Sequence, residues 1–187
     1  KIFQLKDEYK FIESLINPET RDLSFEKLVQ DYKKPIYWHI RKIVLDHDDA
    51  HDVLQNTFLK VFKGIDKFKF ESKLYTWIYR IATNESLNFI KSKAKRFLMS
   101  SKEMMDYQIN NLKEDPYFDG DELQISLQKA INSLPTKQKL IFQMKYEQNM
   151  KFKEIAEILE TSEGGLKASY HIAVKKIKKE LLKNQTF

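Results

Sequence analysis

Six side chains that can engage a nucleic acid recur every three or four residues between positions 77 and 95. They comprise one aromatic ring, two amides and three cations: Trp77, Arg80, Asn84, Asn88, Lys91 and Lys95. On a helix this spacing places all six on one narrow stripe. Aromatic rings stack on unpaired bases, amides hydrogen-bond to base edges, and cations neutralise phosphates. The competing interpretation is a helix that buries Trp77 and presents an ordinary solvated face.

An aromatic and basic segment directly precedes this stripe. It contributes three rings, a hydroxyl and an ammonium group: Phe68, Phe70, Ser72, Lys73 and Tyr75. A loop of this composition can hold a base that has left its duplex, with rings against the faces of the base and a hydroxyl at its edge. The stripe and the loop together predict a surface for an unpaired strand.

The last third of the chain contains two helical periodicities, over residues 152–159 and 166–182, separated by the polar turn Glu160-Thr161-Ser162. In the second of them, one face is apolar and the other carries Lys167, His171, Lys175 and Lys178. A helix with one apolar and one basic face suits the DNA major groove, so we predict a helix-turn-helix. An ordinary helical hairpin is the alternative.

Two histidines four residues apart, His47 and His51, raise the possibility of a metal site. No distant cluster supplies further ligands, and the aspartates beside them, such as Asp48 and Asp49, suit the start of a helix. The chain contains no cysteine, which excludes disulfides and thiolate metal sites. We therefore predict neither a metal nor a cofactor, and a metal-dependent phosphohydrolase is the least favoured function.

The remaining sequence indicates helices that would position these side chains. Apolar residues recur with helical spacing over most of the chain, and four glycines and four prolines are too few for a turn-rich β fold. Residues 97–122 interrupt the pattern with polar residues and turn signals. We predict an all-α protein with helical domains at residues 1–97 and 123–187, joined by an acidic linker at residues 98–122.

The charge distribution follows the same division. Residues 1–100 hold 19 Lys/Arg and 14 Asp/Glu, residues 101–122 hold 2 and 7, and residues 123–187 hold 12 and 6. Two basic blocks indicate a polyanionic partner, whereas lysine-rich helices that serve solubility alone are the alternative. No apolar run reaches the roughly 20 residues of a membrane span, so we expect a cytoplasmic protein without membrane insertion.

Several segments taken together resemble the extracytoplasmic-function (ECF) sigma factors of the sigma-70 family, over residues 21–183. Residues 49–58 (DAHDVLQNTF) resemble the family's acidic helix that docks on the polymerase clamp. Residues 75–84 (YTWIYRIATN) resemble its promoter-melting helix, and residues 164–167 (GGLK) with Tyr170-His171 resemble its recognition helix. Leu134-Pro135, Gln138 and residues 152–156 resemble the start of its second conserved domain.

The resemblance implies a protein that carries core RNA polymerase to promoter DNA and helps to melt it, without enzymatic activity of its own. The loop and the stripe would capture the melted −10 strand, and the acidic linker would lie in the channel that RNA uses later. An anti-sigma factor is a further expected partner. The implied polymerase-docking residues are Asp49, Asp52, Gln55, Phe58 and Leu59. The implied −35 residues are Glu163, Gly164, Lys167, Ser169, His171 and Lys175.

The recognition helix departs from the family pattern at three positions. Many members carry arginines where this chain has Ser169, Ile172 and Val174, so fewer groups suit bidentate contacts with guanine. We therefore expect a loose −35 preference, and an additional recruiting protein or complex is one way to supply promoter choice. The alternative function is a helix-turn-helix regulator that acts without polymerase, although such a protein has no use for a melting helix.

Overall fold

The protein is described from a computed structural model over residues 5–98, 100, 103, 104, 106, 107, 109, 110 and 122–184. These residues form eight α-helices and no β-strand, which confirms the predicted all-α fold. The helices are α1 (Leu5–Ile16), α2 (Arg21–Val44), α3 (His47–Gly64), α4 (Leu74–Arg96), α5 (Glu122–Asn132), α6 (Thr136–Phe142), α7 (Phe152–Ile158) and α8 (Glu163–Asn184). A 3-10 turn at Ile65–Lys67 follows α3, and a π-helix at Gln143–Glu147 extends α6.

Helices α2, α3 and α4 pack against one another, and α1 packs on α2. Burial of a large aliphatic side chain contributes about 1.5–3 kcal/mol, so the shared core holds the four helices together. Its fully buried members include Leu15, Leu28, Ile36, Ile40, Val61 and Ile78. Asp46 begins α3 as its N-cap, because its carboxylate accepts a 2.9 Å hydrogen bond from the Asp49 N–H. The helix ends at Gly64.

Helix α2 is longer than the sequence pattern indicates. The apolar stripes at residues 25–32 and 36–44 suggest a break near Pro35, yet one helix of 24 residues runs through it. A proline inside a helix costs about 3 kcal/mol through a lost hydrogen bond and a steric clash. Leu28 and Ile36 are both completely buried in the same core, and this packing offsets that cost.

The C-terminal helices form a second, smaller core. Its buried members are Ala130, Ile131, Leu134, Phe142, Ala173 and Ile177. Helices α7 and α8 pack together around the turn at residues 159–162, in the arrangement of a helix-turn-helix. The predicted apolar face of α8 is confirmed at Leu166, Ala173 and Ile177, all of which are buried. The π-helix was not predicted, because helical periodicity does not distinguish it from an α-helix.

The two groups of helices share one apolar core. Met144, Ile155 and Leu166 of the C-terminal group belong to the same buried cluster as Ile36 and Ile78. Helix α7 lies directly against α4, which is the helix that carries the predicted nucleic-acid stripe. The arrangement is therefore closed, with the C-terminal helices seated on the N-terminal ones. Among the residues that the structure describes, no helix is long and apolar enough to span a bilayer.

The predicted acidic linker is described only in part. Met104 and Ile109 are buried, so this segment is not solvated throughout. The ring of Tyr107 lies 4.8 Å from the Lys93 ammonium of α4. Of the acidic linker residues, Glu103 and Asp106 are exposed and Glu122 begins α5, whereas Glu114, Asp115, Asp119 and Asp121 lie outside the described residues.

Candidate nucleic-acid interface

The polar stripe of α4 divides into an exposed half and a covered half. Asn84, Asn88, Lys91 and Lys95 are exposed along the C-terminal three turns of the helix. The opposite face of the helix is buried through Ile78, Ala82 and Ser86. Amides and ammonium groups on one accessible face can reach base edges and phosphates of a single strand. This half of the predicted stripe is therefore available for a ligand in the closed arrangement.

Arg80 belongs to the covered half. Its Nη2 donates a 2.6 Å hydrogen bond to the Glu157 backbone carbonyl, and its Nη1 lies 3.1 Å from the Glu160 carboxylate. The Arg80 Nε is buried and has no hydrogen-bond partner in the structure. Arg80 is thus engaged by α7 and the turn that follows it.

Tyr75 and His39 are also covered by the C-terminal helices. Burial, together with a hydrogen bond to the Glu154 carboxylate, raises the pKa of the Tyr75 hydroxyl above its ordinary value. His39 is 1% exposed. Its Nδ1 lies 3.1 Å from Gln148 Oε1, and its Nε2 lies 2.8 Å from Thr83 Oγ1. The pKa of His39 is lowered to about 4, mainly by burial; the hydrogen bond with Gln148 opposes this shift, and the positive charge of Lys42 contributes to it.

The π-helix supplies the other polar contacts to α2. Gln143 Nε2 donates a 2.8 Å hydrogen bond to the Lys42 carbonyl, and Lys42 Nζ lies 3.1 Å from Glu147 Oε2. The contact between the two groups of helices therefore combines a shared apolar core with polar pairs. Sequence reasoning missed it, because each contact joins residues about a hundred positions apart.

The aromatic loop before α4 is built more as core than the sequence indicates. Phe68 is 7% exposed, and Trp77 packs within 5.3 Å of its ring centre and against the backbone at Gly64. The structure thus places Phe68 behind the predicted base-binding surface and leaves Trp77 half-buried. Phe70 is the more accessible ring of this loop, and Ser72 and Lys73 lie beside it, with Ser72 half-buried and Lys73 exposed.

A groove of about 590 Å³ lies between α2 and α3, at the predicted polymerase-docking residues. Asp52, Gln55 and Leu59 line it, and Phe58 lies at its floor with 8% exposure. Asp49 does not line the groove, because its carboxylate pairs with Lys93 Nζ at 2.6 Å on another face of α3. Burial raises the pKa of the Asp49 carboxyl despite this ion pair.

The predicted DNA-facing side of α8 is exposed. Glu163, Gly164, Lys167, His171 and Lys175 are all exposed, and Ser169 is half-buried. The Lys167 ammonium lies 2.8 Å from the Glu163 carboxylate one turn earlier. Ile172 is 48% exposed on the same helix, so this apolar side chain lies at the surface.

The two histidines at the start of α3 lie side by side, with ring centres 4.7 Å apart. His47 Nδ1 lies 2.8 Å from the Tyr37 hydroxyl. Among the residues that the structure describes, no group of three or more His, Cys, Asp and Glu side chains is placed to hold a metal ion. The metal-site interpretation therefore gains no support.

Two family models match the chain at these surfaces. The sigma-70 region 2 model matches residues 28–96, which contain the groove, the loop and the stripe. The sigma-70 region 4 model matches residues 124–177, which contain the helix-turn-helix. The chain belongs to the sigma-70 family as an ECF sigma factor.

The relatives and solved structures agree with this assignment. The chain is 29% identical to the ECF RNA polymerase sigma factor SigW of Bacillus subtilis over 84% of the chain and 89% of SigW. It is 26% identical to the ECF RNA polymerase sigma-E factor of Escherichia coli over 78% of the chain and 80% of that factor. Its fold resembles that of the sigma factor RpoE in complex with the anti-sigma factor NepR from Bartonella quintana, with a TM-score of 0.62 and 19% identity over 86% of this chain and 98% of the other. It also resembles CnrH in complex with the cytosolic domain of CnrY (TM-score 0.67, 16% identity, 96% and 99% covered).

This sigma factor therefore acts with RNA polymerase at promoters to begin transcription. Sigma factors in general are not enzymes. The region 2 match argues against the alternative of a helix-turn-helix regulator that acts without polymerase. Helix α1 of the sigma factor lies outside both matched ranges, and the sequence motifs did not draw attention to it.

Proposed function

We propose that the two halves of this sigma factor divide promoter recognition between them. Residues 1–97 dock on the polymerase clamp and capture the melted −10 strand, whereas residues 123–187 bind the −35 duplex and the polymerase flap. The linker at residues 98–122 lies in the polymerase channel that the RNA uses later. The observation that carries this proposal is the exposed face of α4, where amide and ammonium groups project together beside an aromatic loop. The sigma factor itself catalyses no step, and it works in the cytoplasm with the polymerase.

The closed arrangement is a resting state in this proposal. Arg80 is engaged by Glu157 and Glu160 and is released for DNA when the C-terminal helices move away. An anti-sigma factor that binds both halves at once would stabilise such a state. One structure of similar fold contains a sigma factor in complex with an anti-sigma factor, and another contains CnrH in complex with the cytosolic domain of CnrY.

Polymerase docking is expected to depend on the exposed members of the α2–α3 groove. We expect the double substitution of Asp52→Ala and Leu59→Ala to weaken core binding by more than about 1–2 kcal/mol, because a charge pair and an apolar anchor are lost together. Leu59 is 49% exposed, so its loss does not disturb the core, whereas Phe58 is unsuitable for this test because it is buried. The measurement is a titration of labelled sigma factor with core polymerase.

The matched control is Leu23→Ala, which removes an apolar side chain that is 76% exposed on α2 and does not line the groove. The control should bind core polymerase like the parent. Equal core affinity for the double variant and the parent would remove the groove from the docking surface.

The −35 contact is expected to be loose and strongly dependent on salt. Phosphate contacts position a protein without specifying sequence, and Lys167 and Lys175 are exposed for such contacts. Lys175→Ala should reduce the slope of log affinity against log salt concentration by about 0.9, because one phosphate contact is lost. The preference for particular −35 sequences should not change. Transcription from promoters with a randomised −35 segment and a fixed −10 element measures the preference directly.

If the sigma factor and core polymerase alone transcribed only promoters with one particular −35 sequence, the predicted weak −35 preference would be contradicted. This result would also remove the reason for an additional recruiting protein or complex. If many −35 sequences are used equally, promoter choice rests on the −10 strand or on such a recruiter.

A further inference from the structure

Helix α1 covers the aromatic loop with an exposed ring. Tyr9 is 53% exposed and stacks on Phe70, with ring centres 4.2 Å apart and planes 16° from parallel. Phe70 meets Phe68 edge to face at 5.3 Å, and Phe68 in turn lies 5.3 Å from Trp77. The four rings form a continuous series in the order Trp77, Phe68, Phe70 and Tyr9, in which Phe68 is buried and Tyr9 lies at the surface.

Other contacts fix α1 at this place. Ile12 and Leu15 are buried in the core that α2 and α4 share, and Glu8 Oε1 accepts a 2.7 Å hydrogen bond from the Leu74 N–H. That N–H belongs to the first turn of α4, where backbone donors have no partner within the helix. Helix α1 is thus attached to the loop and to the start of the melting helix at the same time.

The loop itself is held in an unusual conformation. Phe70 has a φ of 57°, in the left-handed region that aromatic residues rarely adopt. A conformation of this kind costs about 1–3 kcal/mol and persists where the surroundings determine it. The stack with Tyr9 and the edge contact with Phe68 are the ring contacts that hold Phe70 in this position.

We propose that Tyr9 is a stacking residue for the extruded base of the captured strand. Every base offers an aromatic face, and stacking on a protein ring contributes about 1–3 kcal/mol per base. Phe68 cannot offer a face, because it is buried, and one face of Phe70 is already covered by Tyr9. Tyr9 thereby extends the base-binding surface of the loop onto a helix outside both family models. This inference rests on the proposed strand capture by the loop and α4.

The test measures binding of the holoenzyme, assembled from core polymerase and the full chain, to fork-junction DNA. The DNA carries an unpaired −10 strand taken from a promoter that the factor transcribes. We expect Tyr9→Ala to weaken binding by about 5–150-fold, which is the equivalent of one stacking contact. Tyr9→Phe should retain most of the parental affinity, because the ring alone stacks. Core affinity of both variants should match the parent. Tyr9→Phe should also unfold at the parental temperature, whereas Tyr9→Ala removes the stack on Phe70 and should unfold at a slightly lower temperature.

Asn84→Ala, measured in parallel, separates this inference from the proposal on which it rests. If Asn84→Ala weakens binding but Tyr9→Ala does not, strand capture stands and the role of Tyr9 is refuted. If neither variant weakens binding, the proposed capture surface fails as well. Tighter binding by Tyr9→Ala, or equal losses in Tyr9→Ala and Tyr9→Phe, would also overturn the stacking role.

Discussion

Lowering the pH from about 7.5 to 4 is expected to destabilise the folded protein by about 3 kcal/mol through His39 alone, since each pKa unit corresponds to about 1.4 kcal/mol. The pKa of His39 is about 4 in the folded protein, against 6.5 for an ordinary histidine. The unfolded chain therefore takes up the proton first, and stability falls as the pH passes from 6.5 to 4. Chemical unfolding followed at several pH values measures the effect.

The titration of Asp and Glu side chains overlaps this range, so the comparison must be made between variants. His39→Gln removes the titrating group while keeping a polar side chain next to Gln148 and Thr83. The difference in unfolding free energy between parent and variant should change by about 3 kcal/mol across this range. The same substitution at the exposed His171 of α8 is the matched control. Parallel pH profiles for the parent and His39→Gln would show that His39 is not buried as described.

Removal of the two exposed amides of α4 is expected to have the largest effect on promoter opening. Asn84→Ala combined with Asn88→Ala should reduce the population of open complexes, because amide contacts with base edges contribute about 1–3 kcal/mol each. Both side chains are exposed, so the protein should fold and bind core polymerase normally. Permanganate reactivity of unpaired thymines in the promoter bubble is the readout.

Asn56→Ala supplies the matched control, since Asn56 is an exposed amide on α3 that does not line the docking groove. With this control variant, the unpaired thymines of the promoter bubble should react with permanganate as they do with the parent. If the double variant also gives parental reactivity, the exposed face of α4 does not hold the melted strand, and the sequence-based assignment of these amides must be abandoned.

Local features of the fold were predictable from the sequence. The bounds of α4 at Leu74 and Arg96, the cap at Asp46 and the end of α3 at Gly64 all follow from helical periodicity and from the preferences of residues at helix ends. Helix α2 shows the limit of such local rules, because the cost of Pro35 within the helix is outweighed by burial on both sides of the proline. A rule based on one residue cannot include that packing.

The closed arrangement was not predictable in the same way. His39 lies within an apolar stripe, where its type alone does not reveal that Gln148 and Thr83 surround it. The same holds for Arg80, whose position on the stripe is correct but whose partners come from α7 and the following turn. Tyr9 was overlooked because its contact with Phe70 joins the first helix to a loop about sixty residues later. Long-range contacts of this kind depend on the tertiary fold rather than on spacing.

Transcription by the full chain and core polymerase on fragmented genomic DNA, followed by sequencing of the RNA 5′ ends, tests the account most directly. We expect start sites that require the added chain and share a −10 sequence at a fixed upstream distance, with a variable −35 segment. Start sites that are the same with and without the chain would contradict its role in promoter selection.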